Sequence, residues 1–371
     1  MIHNSQSTLK LDIIAGARPN FMKIGPIIHA IEKHNHHADV RNIEYRLIHT
    51  GQHYDKAMSE SFFQQLNIPE PHINLGAGGG TQSEQTAAIM IGYEQAIAKW
   101  KPDLCIVVGD VTSTMACAIV AKKEWIKVAH VEGGIRSGDM DMPEEINRIV
   151  TDSITDYFFT TTLTANENLK RQGVSSENIF FVGNTMIDSL LGNMSRLMKP
   201  SFFDEQALLP GNYIVATLHR PSNVDSRENL EKLLGIINDH AGQNKVIFPM
   251  HPRTRKIYNT LIRTYDKLYV TEPMEYLQFI YLVKNALGVV TDSGGITEET
   301  TVMGVPCMTL RDSTERPETV TIGTNEMVGT NSENIIPYIE KLVNGQWKTG
   351  KIPELWDGQT SKRIVQILAT L

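Results

Sequence analysis

The run from Thr291 to Glu299, reading TDSGGITEE, places two kinds of ligand chemistry on one short stretch of chain. Residues 286–291 read as a buried strand, and residues 296–303 read as a helix whose first turn carries Glu298 and Glu299. Ser293, Gly294 and Gly295 lie at the junction. There the free backbone N–H groups and the positive end of the helix dipole coincide, and the missing Cβ atoms of two glycines let a diphosphate come close. Glu299, one turn in, can accept hydrogen bonds from both hydroxyls of a ribose. The stretch points to a nucleotide. An ordinary glycine-containing turn capped by Ser293 reads the same way in isolation, so the weight rests on what else lies at strand ends.

Several other polar residues directly follow apolar runs. After the run 11–15 comes a tight turn with Arg18, which can hold a phosphate bidentately. Asp110 ends the run 104–109 with Thr112, Ser113 and Thr114 behind it, either as a functional carboxylate or as a helix N-cap. Glu132 ends the run 127–132 and lies beside Asp110 if those strands are neighbours. Converging carboxylates suit acid/base work, because proximity and burial push their pKa values apart. Glu144 follows Pro143 at a helix start, where a glutamate complementing the dipole is an equally good reading. His219 follows the run 213–217 after Leu218 and can donate to a phosphate oxygen or move a proton. Arg316 lies in the loop after the run 306–310. A single arginine in a loop is usually a surface charge, but Arg18, His219 and Arg316 all follow strand ends. His251 also ends a strand, with no sequential partner, and is read as peripheral.

A scaffold that presents strand ends must position these groups. Short β-rich apolar runs at 11–15, 45–50, 104–109, 127–132, 157–160 and 179–183 alternate with longer amphipathic stretches. The pattern restarts at 213–217 and continues at 246–250, 268–271, 287–291 and 306–310. Such alternation means parallel strands joined by crossover helices. The prediction is an α/β protein of two Rossmann-like doubly wound domains facing across a cleft. Residues 1–186 form the domain with the carboxylates and residues 187–359 the nucleotide-binding domain, while the helix 360–371 packs back on the first. Open α/β sheets bind ligands outside the carboxyl ends of their strands.

Composition agrees. A chain of 371 residues, 41% of them hydrophobic, can build two cores. The net charge of -7 and the lack of a long basic run give no electrostatic footprint for nucleic acid, which leaves a small ligand. Cys105, Cys117 and Cys307 stand alone in apolar contexts, as thiols of a reducing compartment rather than disulfides or zinc ligands. No signal-peptide core and no run of membrane-spanning length is present, so the expected location is the cytoplasm. His34, His36 and His37 read as a solvated turn rather than a metal site. GAGGG at 76–80 lacks the Gly-Lys-Ser/Thr of a P-loop.

The motifs GARPNFMK (16–23), HTGQHYD (49–55), VVGDVTST (107–114), HVEGGIRSGD (130–139), PEEINR (143–148), VGNTMID (182–188), LHRPSN (218–223), TDSGGITEE (291–299) and TERPE (314–318) follow one another nearly end to end. In them the chain resembles the non-hydrolysing UDP-N-acetylglucosamine 2-epimerases. The resemblance implies a GT-B-type arrangement, a homodimer, a UDP-sugar substrate, and reversible inversion at C2 with neither metal nor nicotinamide cofactor. By position it implies Asp110, Glu132 and Glu144 as the acid/base carboxylates and His219 beside the diphosphate. It places Arg18, Ser293, Gly294, Gly295, Glu299 and Arg316 among the UDP-holding residues, with Lys23 at the family's helix-borne lysine. The implied chemistry is elimination of UDP through a 2-acetamidoglucal, then readdition, giving UDP-N-acetylmannosamine for envelope polysaccharide. Alternatives on a similar scaffold are a 2-epimerase of UDP-2,3-diacetamido-2,3-dideoxy-glucuronate, a hydrolysing 2-epimerase and a retaining GT-B glycosyltransferase.

The chain also departs from the family. Arg220, Pro221 and Ser222 stand where many bacterial members have Arg-Arg-Glu or Arg-Ala-Glu, so a carboxylate role there does not carry over. Asp55 replaces the glutamine of activator-regulated members. HPRTRK (251–256) and the segment 58–76 are similar to the diacetamido-glucuronate branch, whereas the intact Thr314-Glu315-Arg316-Pro317 favours the N-acetylglucosamine branch.

Overall fold

The structure, a computed structural model, describes residues 8–37, 40–51, 63 and 65–371, with the side chain of Arg18 outside that description. The chain divides into two compact units, one formed by residues 1–192 with 354–371 and the other by residues 193–353. In the first, seven parallel strands are β1 (Leu9–Ala15), β2 (Ile43–His49), β3 (Ile73–Asn74), β4 (Leu104–Val108), β5 (Lys127–Val131), β6 (Tyr157–Thr160) and β7 (Ile179–Phe181). Their spatial order is β3-β2-β1-β4-β5-β6-β7. The central strand β4, reading LCIVV, is buried along its whole length, as a parallel strand covered by helices on both faces requires. The helix Thr112–Lys123 buries Ala116, Cys117, Ala118 and Ala121 and packs against both Gln82–Lys99 and Pro143–Ile154. Its small side chains let those backbones come close.

The second unit repeats the plan with β8 (Tyr213–Thr217), β9 (Lys245–Pro249), β10 (Leu268–Thr271), β11 (Gly288–Thr291), β12 (Cys307–Thr309) and β13 (Asn325–Met327). Their order is β10-β9-β8-β11-β12-β13, again all parallel. In each sheet the chain order reverses once, between β1 and β4 and between β8 and β11. Open α/β sheets place ligands at such switch points. Two parallel-sheet units of α/β class are therefore what the alternation of runs predicts. The strands that it does not reveal are β3 and β13, each two or three residues long and at a sheet edge. Short edge strands carry too few alternating residues to show in a sequence pattern.

The chain returns to the first unit at Glu354. Trp356 is fully buried there and its Nε1–H donates to the Thr161 carbonyl at 3.2 Å. Asp188, from the VGNTMID motif, accepts from Thr360 N at 3.1 Å, Ser361 N at 2.7 Å and Ser361 Oγ at 2.6 Å. It satisfies backbone donors at the start of the helix Thr360–Leu368, which packs against Arg18–Asn35. The division between units by contacts thus falls after residue 192 and at 354, a few residues from the 186 and 360 read from the sequence. The helix Thr185–Asn193 explains the shift at the first boundary, since it buries Ile187 and Leu190 completely.

Candidate active site

At the switch point of the first unit the turn after β1 is tied to the end of β4 by Asn20. Its Oδ1 accepts from the backbone N–H groups of Gly16 and Ala17 at 3.1 and 2.9 Å, and its Nδ2 donates to the Val108 carbonyl at 3.0 Å. Arg18 opens the helix that follows, and one turn further Lys23 places its Nζ 2.8 Å from Glu132 Oε2. β4 and β5 are neighbours in register, so Asp110 and Glu132 stand beyond adjacent strand ends. Glu132 is buried, and its backbone is left-handed at φ 72, an uncommon conformation for a residue with a Cβ. Its N–H donates to the Phe159 carbonyl at 2.9 Å, which anchors that bend.

Asp110 is not a helix N-cap. The helix begins at Thr112 with Val111 as its cap, and the Asp110 carboxylate meets Arg148 Nη2 at 2.5 Å instead. Asn147 Nδ2 donates to the Asp110 carbonyl at 2.8 Å. Arg148 also binds Glu145 Oε2 at 2.7 Å, and Glu145 accepts from Ser137 N, Ser137 Oγ and Gly138 N. Burial acts to raise the Glu145 carboxyl, but the Ser137 N–H and Arg148 outweigh it and hold the pKa low. Arg148 is thus a link from the 137–138 loop to Asp110. Glu144 lies partly exposed in the first turn of Pro143–Ile154.

At the switch point of the second unit the organising residue is Asp292, which the sequence reading passes over. Its fully buried carboxylate accepts from the backbone N–H groups of His219 and Arg220, from Asn223 Nδ2 at 3.0 Å and from His219 Nδ1 at 2.6 Å. Burial raises the Asp292 carboxyl, yet His219 and these donors outweigh it and depress the pKa. His219 is therefore anchored through Nδ1 while its side chain stays 57% exposed.

The glycine turn differs from expectation in two ways. The helix starts at Gly294, not at Ile296, so Glu298 and Glu299 fall in its second turn and no acidic residue lies in the first. Glycine is a poor helix former, which is why the pattern alone starts the helix late. Ser293 occupies the N-cap position, but its hydroxyl makes no capping bond, so side-chain capping does not account for the residue. A Cβ on Gly294 would stand 2.5 Å from Glu315 Oε1, whereas a Cβ on Gly295 meets nothing within 4 Å.

Arg316 is placed differently from a surface cation. It is buried, with Nε 2.7 Å from Glu298 Oε1. Arg311 is likewise buried and binds Glu315 at 2.7 and 3.3 Å. Burial alone would raise the Glu315 carboxyl, but Arg311 brings it down to about 2. Glu299 has no such partner among the groups that set its pKa. Burial pushes it up to about 8, against a hydrogen bond from the Tyr276 hydroxyl at 2.9 Å. His251 caps the helix Pro252–Tyr258 through Nδ1 and stays peripheral. Asp55 and residues 58–62 and 64 of the segment 58–76 lie outside the described residues. Among the described residues no cluster of His, Cys, Asp and Glu could hold a metal ion, and no helix is long and apolar enough to cross a membrane.

Two doubly wound sheets, with carboxylates beyond one switch point and a glycine turn at a helix start beyond the other, define an α/β enzyme of the nucleotide-binding class. The profile of the family described as UDP-N-acetylglucosamine 2-epimerase matches residues 35–369, and the chain belongs to that family. The UDP-N-acetylglucosamine 2-epimerase of Methanocaldococcus jannaschii is 43% identical to it, over 97% of this chain and 99% of its own. The UDP-2,3-diacetamido-2,3-dideoxy-D-glucuronate 2-epimerase of Pseudomonas aeruginosa is 37% identical, over 98% of this chain and 100% of its own. Among solved structures, the Methanocaldococcus jannaschii enzyme in complex with UDP-GlcNAc and UDP superposes with a TM-score of 0.85 at 41% identity, covering 98% of this chain and 100% of that one.

Proposed function

We propose that the protein is a non-hydrolysing UDP-N-acetylglucosamine 2-epimerase, interconverting UDP-N-acetylglucosamine and UDP-N-acetylmannosamine. The observation that carries this reading is the pair Asp110 and Glu132 beyond adjacent strand ends, each with its own cation, Arg148 and Lys23. One carboxylate takes the C2 proton while the C1–O bond breaks and UDP leaves with the electron pair, so that C1 and C2 become doubly bonded in a 2-acetamidoglucal. Readdition of the UDP oxygen to C1 with proton delivery to the opposite face of C2 completes inversion. No carbonyl activates the C2 proton, so stabilising the departing diphosphate is the larger part of the catalysis. Backbone N–H groups at Ser293, Gly294 and Gly295, with His219, Arg18 and Arg316, fill that role, and Glu299 holds the ribose. Glu144 is the third acid/base group. A homodimer and a product that enters polysaccharide synthesis, both implied by the family resemblance, and a cytoplasmic place complete the reading.

The test is to incubate the protein with UDP-N-acetylglucosamine in D2O and follow the sugar nucleotides by NMR. The expected result is UDP-N-acetylmannosamine together with deuterium at C2 of both sugars. Free N-acetylmannosamine in step with UDP would instead select a hydrolase, and an unchanged spectrum would sink the epimerase reading. A second substrate has a specific claim, because the Pseudomonas aeruginosa relative is 37% identical while the Escherichia coli K12 UDP-N-acetylglucosamine 2-epimerase is 32% identical. Faster turnover of UDP-2,3-diacetamido-2,3-dideoxy-glucuronate in the same assay would move the assignment to that branch.

A further inference from the structure

His130 lies on β5, wholly buried, with an acceptor at each ring nitrogen. Nδ1 is 2.7 Å from Asp152 Oδ1, and Nε2 is 2.7 Å from the Gly109 carbonyl oxygen. A carbonyl oxygen can only accept. A neutral imidazole has one donor and one acceptor nitrogen, so a neutral ring would turn a lone pair toward one of these partners. Asp152 is poorly placed to supply the missing proton itself. Its Oδ2 accepts from Gly134 N at 3.0 Å and from Arg136 Nη1 at 2.7 Å, which favours the charged carboxylate. Burial would raise the Asp152 carboxyl, but His130 and Arg136 outweigh it and hold it below the usual range.

We propose that His130 is a positioning residue, held as a doubly protonated imidazolium between Asp152 and the Gly109 carbonyl, and that this strut fixes the turn on which Asp110 stands. The inference rests on the epimerase reading for its kinetic part only. Gly109 is left-handed at φ 68, and its N–H donates to the Val131 carbonyl at 3.0 Å. Its peptide groups are thus gripped from β5 on both sides, by Val131 at the N–H and by His130 at the carbonyl. A Cβ built on Gly109 would stand 3.1 Å from Lys23 Nζ, so the lysine that pairs with Glu132 also lies against this turn. Asp110 follows directly, and Glu132 stands two residues beyond His130. One buried ring therefore ties the ends of β4 and β5, and with them both carboxylates, to the helix Pro143–Ile154 that carries Asp152 and Arg148. A buried cation is tolerable here because its counter-charge is in hydrogen-bond contact.

The experiment uses full-length protein labelled with 15N at histidine. Long-range proton–nitrogen correlation at neutral pH should show both ring nitrogens of His130 protonated. The signal is assigned by its loss in His130→Gln or, if that variant does not fold, by its shift in Asp152→Asn. A ring with a single protonated nitrogen overturns the imidazolium. In turnover of UDP-N-acetylglucosamine, His130→Gln and Asp152→Asn should each lower kcat about 10- to 100-fold, with KM within about 2-fold of the parent. An unchanged kcat, or a change confined to KM, in the folded variants overturns the positioning role. If the parent protein leaves the sugar nucleotide unconverted, the epimerase reading fails while the NMR result still decides the state of His130.

Discussion

At the strand ends of the first unit each acid is matched by one cation from a helix. Asp110, its side chain 30% exposed, meets Arg148, and Glu132 meets Lys23. At the strand ends of the second unit uncharged backbone stands beside the ion pairs. Arg311 and Arg316 are buried and bound by Glu315 and Glu298, while the partly exposed groups are the backbone of Ser293, Gly294 and Gly295 and the ring of His219. The sheets have the same strand order about their switch points, so topology does not decide which chemistry appears there. The residues of the turn after each strand decide it. An arginine sunk beside a carboxylate is held in place by it, and amide dipoles nearby offer an anion a grip that needs no counter-ion.

The sharpest way to break this division is to neutralise one acid of the first unit. Asp110→Asn or Glu132→Gln should lower kcat by about 10³-fold, within the range that a lost general acid or base produces, while UDP binds within about 3-fold of the parent. Stopped assays for turnover and calorimetry for UDP measure the two separately. Loss of UDP affinity in step with turnover would mean that these carboxylates hold the nucleotide as well as serve the reacting carbon, and the division of roles would go.

Much of this layout is legible in the chain. Polar residues after strand ends are legible because a parallel sheet puts its ligands there, and GDVTST, HVEGG and TDSGG each follow an apolar run, although the role of Asp292 within the last is not. What sequence spacing does not show is the partner across space. Arg148 meets Asp110 over 38 positions, Asp292 meets His219 over 73, and His130 meets Asp152 over 22, so no local pattern announces them. Arg316 shows the same limit from the other side. Its position points to a cation for the diphosphate, and the helix Gly294–Met303 brings Glu298 to its Nε as a counter-charge that the loop sequence does not announce.

Two glutamates of the second unit sharpen the comparison, because folding shifts their pKa values in opposite directions. The folded pKa of Glu315, about 2, lies below its ordinary 4.5. Its contribution to stability is therefore complete above the unfolded pKa and is lost as pH falls from there toward about 2. Glu315→Gln should cost about 3 kcal/mol at neutral pH, and the deficit should shrink as urea unfolding is repeated down to about pH 3. The folded pKa of Glu299, about 8, lies above 4.5, so ionising it opposes folding. Parent stability relative to Glu299→Gln should fall as pH rises from 4.5 through about 8. Slopes of the same sign would show that Arg311 does not set Glu315 apart.

The two glycines separate shape from grip. Gly294→Ala drives a Cβ to 2.5 Å from Glu315 Oε1, an atom that Arg311 pins, and should cost about 1–3 kcal/mol in stability and about 10-fold in UDP affinity. Gly295→Ala meets open space at a helix start and should leave stability equal or up to about 1 kcal/mol higher. UDP should nonetheless bind more weakly, since the added methyl occupies the approach of the diphosphate. Thermal unfolding and calorimetry on the pair decide it. Full UDP affinity in Gly295→Ala would remove this turn from the nucleotide site.

The smallest effect tests whether the second unit only binds. Tyr276→Phe removes the hydroxyl that donates to Glu299 Oε1 at 2.9 Å and keeps the ring in place. One lost hydrogen bond of this kind is worth about 1 kcal/mol, which is about 5-fold in UDP affinity. The hydroxyl also opposes the rise of the Glu299 pKa, so its loss should push that carboxyl further up and carry the pH-dependent difference to higher pH. On the proposed reading Glu299 holds the ribose and does not act on the reacting carbons, so kcat under saturating substrate should hold. A fall in kcat with UDP affinity intact would place Glu299 in the chemistry and erase the contrast between the two sets of strand ends.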